Sequence, residues 1–101
     1  MNKKQTEAYG YYKRLYPGVV VLYHISDDYV ALGDDAVTVA HCLNVDAEDV
    51  FGEFRFPYGD VGIISRLGDS LQLKMIDYRN RDGDLDYPDV QKLKEEKYED
   101  Y

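Results

Sequence analysis

Apolar and polar positions along this chain fall into short runs with two different periods. Between residues 3 and 16, Ala8, Tyr11, Tyr12, Leu15 and Tyr16 recur at three- and four-residue intervals, while Lys3, Lys4, Lys13 and Arg14 lie off that stripe. This spacing predicts an amphipathic helix. Asn2 followed by Gln5 suits a capping box at its start, and Pro17-Gly18 ends it. Residues 19–25 then form a β-branched apolar run without alternation, the pattern of a central strand covered on both faces. Ser26-Asp27-Asp28 carries turn chemistry, and residues 29–32 return as the second strand of a hairpin.

The next run, through Ala36, Val37, Ala40 and Leu43, has helical spacing. Asp34 is placed to cap it, Asp35 to complement its dipole, and Asn44 to end it in the left-handed conformation. Residues 50–56 alternate, with Val50, Gly52, Phe54 and Phe56 on one face and Phe51, Glu53 and Arg55 on the other, which predicts a half-buried strand stopped by Pro57. Residues 59–67 read as a short helix with Val61, Ile64 and Leu67 along one side and Gly68 as its end. Residues 70–78 read as a last strand, with Leu71, Leu73 and Met75 sharing one face and Gln72, Lys74, Ile76 and Tyr78 the other. Beyond Arg79 the chain is charged and turn-rich, and residues 89–98 predict a marginal helix. The division expected is a globular unit over 1–79 and an acidic extension over 80–101.

Composition narrows the functional classes. The 101 residues suffice for one domain. Net charge is −8, with seven basic and twelve acidic side chains in residues 1–78 and five and eight in residues 79–101. Duplex DNA is bound chiefly through Lys and Arg neutralising phosphates, so nucleic acid is a disfavoured partner and protein a favoured one. The single cysteine, Cys42, excludes an internal disulfide and a cysteine-built zinc site, and reads as a small core residue. No run is long and apolar enough for a membrane span, and the N-terminal residues lack the pattern of a signal peptide, so no membrane partner and a cytoplasmic location are expected.

The order of motifs resembles the N-terminal mismatch-recognition domain of the MutS DNA repair family. That family reads as a helix ending in Tyr-Pro, an apolar strand, Gly-Asp-Phe-Tyr-Glu-x-[aromatic or Leu]-Gly-x-Asp-Ala, and a helix. Here the positions are Tyr16-Pro17, the strand at 19–25, Ser26-Asp27-Asp28-Tyr29-Val30-Ala31-Leu32-Gly33-Asp34-Asp35-Ala36, and the helix to Leu43. Phe56-Pro57-Tyr58 resembles the family's Pro-Tyr-His, and Leu67-Gly68-Asp69-Ser70-Leu71 its Leu-Gly-Glu-Ser-Val. The resemblance spans residues 5–78 and implies an α/β (α+β) fold, a mixed sheet of about five strands covered by helices. It also implies that Asp28 stands where the family has its phenylalanine wedge, and Val30 where it has the glutamate that bonds the mispaired base. An aspartate cannot stack on a base and a valine cannot accept a hydrogen bond, whereas a wedge must recover the cost of unstacking. Asp27, Tyr29, Gly33, Asp35 and Ala36 match the motif's scaffold.

Other chemistry is weakly signalled. Counting from Tyr78, Asn80, Asp82, Asp84 and Asp89 fall at calcium-loop positions, but the first position is not acidic and Arg79 and Arg81 intrude. Asp27, Asp28, Asp34 and Asp35 would have to converge to serve a metal-dependent nuclease. His24 and His41 have no catalytic motif around them, and there is no Walker A sequence. The sequence therefore predicts a stand-alone, non-catalytic binding module without a cofactor, with a DNA-binding component of a repair-like complex as the alternative.

Overall fold

The computed structural model describes residues 1–46, 48, 50 and 52–99. Helix α1 (Lys3–Leu15) opens on the capping box: Asn2 Oδ1 accepts from the Gln5 N–H at 2.8 Å, and Gln5 Oε1 accepts from the Asn2 N–H at 2.9 Å. Two otherwise orphaned donors are thereby satisfied. Gly18, at φ +78°, turns the chain into strand β1 (Val20–Ile25). A turn of Ser26 and Asp27 follows, with Ser26 at φ +55°, and β2 (Asp28–Leu32) pairs back antiparallel so that Ile25 faces Asp28. A positive φ in this place matches the right-handed twist of the flanking strands.

Helix α2 (Gly33–Cys42) follows without a loop, and Asn44 lies at φ +60° after it. Then come β3 (Glu53–Pro57), α3 (Val61–Ser70), β4 (Leu73–Ile76) and α4 (Val90–Glu99). The sheet order is β3-β2-β1-β4, with β1 parallel to β4 and the other pairings antiparallel. The fold is thus α+β with a mixed sheet of four strands among the described residues, where about five were expected. The apolar runs of the sequence mark four strands, and beyond β4 the described chain adds an isolated bridge, Arg79 to Leu85.

Both faces of the sheet are covered, which explains the unbroken apolar run in β1. On one face Val20, Leu22, Tyr29, Ala31 and Phe56 pack with Ala36, Val39 and Leu67 from α2 and α3. On the other, Val21, Tyr23, Val30 and Leu32 pack with Ala8 of α1 and with Tyr87 and Val90. Full burial of one such side chain contributes about 1.5–3 kcal/mol. The charged C-terminal segment therefore supplies part of the second core through Tyr87, Pro88 and Val90.

Several local expectations change. Asp34 does not cap α2; Leu32 occupies the cap position with no side-chain bond, and the Asp34 N–H donates to the Tyr9 hydroxyl at 3.2 Å. Gly33 sits at φ +57°, where a Cβ would lie 2.8 Å from the Tyr9 ring, so both conformation and space require glycine. Asp35 is 5% exposed and accepts from Lys13 Nζ at 3.0 Å and from the Val21 N–H at 3.2 Å, so it ties α2 to α1 and β1. Helix α3 starts later and ends later than expected. Asp60 caps it by accepting from the Ile63 N–H at 3.1 Å, and it runs through Gly68. Ile63, Ile64 and Leu67 face the core, while Val61 is 78% exposed and points outward. Strands β3 and β4 are shorter than the alternating runs that predict them, and Phe51 lies outside the described residues.

Candidate functional site

The hairpin joining β1 to β2 carries Asp28 and Val30, together with Asp27, Tyr29 and His24. Because side chains alternate along a strand, Asp28, Val30 and Leu32 share one face of the sheet and Tyr29 and Ala31 the other. The packing agrees: Val30 and Leu32 belong to the cluster with α1, Tyr87 and Val90, and Tyr29 to the cluster with α2 and α3. The structure therefore separates Asp28 and Val30 from Tyr29, and it also differentiates Asp28 from Val30. Asp28 is half-exposed, at the rim. Val30 is 0% exposed.

Charges border this face along the β3 side. Arg55, which pairs in register with Val30, has its guanidinium 3.8 Å from Asp28 and 3.7 Å from Glu53. Glu53 accepts from Gln5 Nε2 at 3.2 Å, and the same amide lies 3.2 Å from the Tyr87 hydroxyl. Asp86, one residue back, takes Lys4 Nζ at 2.6 Å. Burial pushes the Asp86 carboxyl up, but the bonds from Lys4, the Tyr87 N–H and Asn80 outweigh it and hold it below the ordinary carboxylate range. A polar strip thus runs from the hairpin tip to the C-terminal segment, with Tyr87 and Val90 packed over the apolar part of the face.

The opposite face ends in an aromatic group. His24, the polar exception in the β1 run, has Nδ1 2.7 Å from Asp77 Oδ1. Its ring lies parallel to Tyr58 with centroids 3.9 Å apart, and Tyr29 is tilted against both, 5.5 Å from His24 and 5.1 Å from Tyr58. Burial, then the charge of Asp77 and the neighbouring Tyr58, push the Tyr29 hydroxyl above its usual range. Asp27 is exposed at the hairpin tip, and its carbonyl accepts the Tyr58 N–H at 2.9 Å. An open hollow of about 350 Å³ lies beside this group, lined by Tyr29, Tyr58, Gly59, Val61 and Ile64.

The remaining candidates do not come together as a site. The four aspartates do not converge: Asp27 and Asp28 lie at one end of β2, Asp34 and Asp35 at the other, and Asp35 is committed to Lys13. Asn80 Oδ1 accepts from the Asp82 and Asp84 N–H groups at 3.0 and 3.1 Å, and Asp89 Oδ1 caps α4 through Gln91 and Lys92. No group of three His, Cys, Asp or Glu side chains is placed to hold a metal among the described residues. Cys42 packs half-buried against the first core, and Ala36 lies within it. His41 is exposed in the last turn of α2.

Sequence reasoning missed Tyr58, Asp77 and Val61 as members of a common surface. Their one local signal is His24, a ring with hydrogen-bonding capacity inside an apolar run, which demands a partner. That partner comes from 53 residues away. Among the described residues no helix is long and apolar enough to cross a membrane. A scan against protein families finds no match, and a search of curated proteins finds no significant match.

Proposed function

We propose that this chain is a non-catalytic binding module whose partner is a protein, with a fold like that of the MutS N-terminal domain but without the capacity to read a mispaired base. The observation that carries this reading is the burial of Val30. A base can be probed only by a side chain that reaches solvent, and position 30 lies under α1, Tyr87 and Val90. Position 28 is at the rim, but it bears a carboxylate that repels phosphate and cannot stack. Cations near this face are already engaged: Arg55 lies beside Asp28 and Glu53, Lys4 bonds Asp86, and Lys13 bonds Asp35. With a net charge of −8 in addition, little is left to neutralise a duplex.

The test is an electrophoretic mobility shift on matched and mismatched duplexes at low salt, alongside recovery of partners of the tagged full chain after nuclease treatment. The reading expects no duplex shift and a protein partner that survives the nuclease. Tight, salt-sensitive binding with a preference for mismatches overturns it, and Mg- or Mn-dependent cleavage abolished by Asp27→Ala would assign the chain to the nucleases instead.

A further inference from the structure

The geometry points to the shelf formed by Tyr58, Val61 and Ile64 as the docking site for an arginine-bearing basic peptide segment of the partner protein, an inference that rests on the protein-binding reading above. Tyr58 remains 50% exposed although one face of its ring carries the His24 imidazole. The hydroxyphenyl surface left to solvent is therefore fixed in orientation by a stack, not free to rotate. Val61 stands beside it, more exposed than any other large apolar side chain described. Ordinary single apolar residues at a surface need no explanation, but here they adjoin one hollow with Tyr29 and Gly59.

The charges around this shelf select the occupant. Asp77, 58% exposed at its side chain, is bonded to the ring that stacks on Tyr58. Asp60 precedes Val61 and caps α3. No basic side chain lines the hollow. An aromatic face with the Asp77 and Asp60 carboxylates beside it suits a guanidinium, which stacks on rings and donates paired hydrogen bonds to carboxylates. The same carboxylates disfavour a phosphate, a nucleic acid or an anionic lipid surface. The hollow is too open to enclose a small molecule, so the cation belongs to an extended chain whose aliphatic neighbour covers Val61 and Ile64.

The experiment is a titration of the isotopically labelled full chain, followed by amide NMR, with a short blocked peptide of alternating arginine and leucine. A control peptide carries glutamate in place of arginine. Shifts should centre on His24, Tyr58, Val61 and Ile64, and the glutamate peptide should produce none. The double variant Asp60→Asn with Asp77→Asn keeps the helix cap and should weaken binding about five- to tenfold. Val61→Ser, at a position that supports no packing, should weaken it about threefold without altering the spectrum elsewhere. Shifts centred on another surface, equal binding of the glutamate peptide, or no binding of the arginine peptide would overturn the proposal. If a nuclease-resistant protein partner is recovered but is unaffected by these substitutions, the shelf assignment fails while the protein-binding reading stands. If the chain instead shifts mismatched duplex, both fail.

Discussion

At the scale of single residues, the decisive position is Val30. It completes an apolar core, because β2 presents it inward beside Tyr23, Leu32 and Tyr87. A glutamate placed there would bury a carboxylate in the cluster, where its cross-strand neighbour Arg55 is already shared between Asp28 and Glu53. Val30→Glu should lower the unfolding free energy by at least about 3 kcal/mol, measured by urea denaturation, or prevent folding. Asp35 is the converse case, a buried charge that already has its partners. Asp35→Ala leaves the Lys13 ammonium with the Val19 carbonyl but no carboxylate, and the Val21 N–H without its acceptor, and should cost about 3 kcal/mol, with Asp35→Asn costing less because it retains an acceptor.

At the scale of elements, the C-terminal segment is where charge and packing diverge. By composition it is an acidic extension, yet Tyr87 and Val90 are buried in the second core and Gln5 reaches the Tyr87 hydroxyl. Tyr87→Ala should therefore destabilise the whole domain by about 3 kcal/mol in a single cooperative transition, with no separate loss of a tail. The elements that depend on local chemistry were legible in the sequence: the Asn2–Gln5 box, the doubly covered β1, the left-handed Asn44, and the shared face of Leu71, Leu73 and Met75. What was not legible depends on distant partners. Asp35 looked like a dipole charge because Lys13 lies 22 residues away. Val61 looked inward-facing because its spacing from Ile64 and Leu67 is helical, but Asp60 starts the helix so that Ile63 takes the inward place. The interior glycine of α3 read as a terminator, although Leu71 continues the hydrogen bonding by donating to Leu67 at 2.9 Å.

At the scale of the whole molecule, titration couples to stability at both ends of the pH range. Burial pushes the hydroxyls of Tyr23 and Tyr87 up, and it pushes that of Tyr12 to about 12. An unfolded tyrosine ionises near pH 10. The raised folded values mean the native state holds these protons more tightly, so stability is present in full below about pH 10 and is lost as pH rises toward 12. Asp86 has the opposite sign. Its folded value is depressed, so its contribution is present above the unfolded carboxylate range and disappears as pH falls through the folded value. Thermal unfolding followed across pH should show a decline above pH 10 and another in acid, and Asp86→Asn should flatten the acid limb while leaving the alkaline one in place.

On the reading proposed above, the chain itself closes the β2 face against a base, and solvent paramagnetic relaxation on methyl-labelled full chain measures that closure. With an inert soluble paramagnet, Val30 methyl signals should keep their intensity as Val21 and Val39 do, while Val61 signals are quenched. Quenching of Val30 to the level of Val61 would mean that the face is open, and would contradict the account.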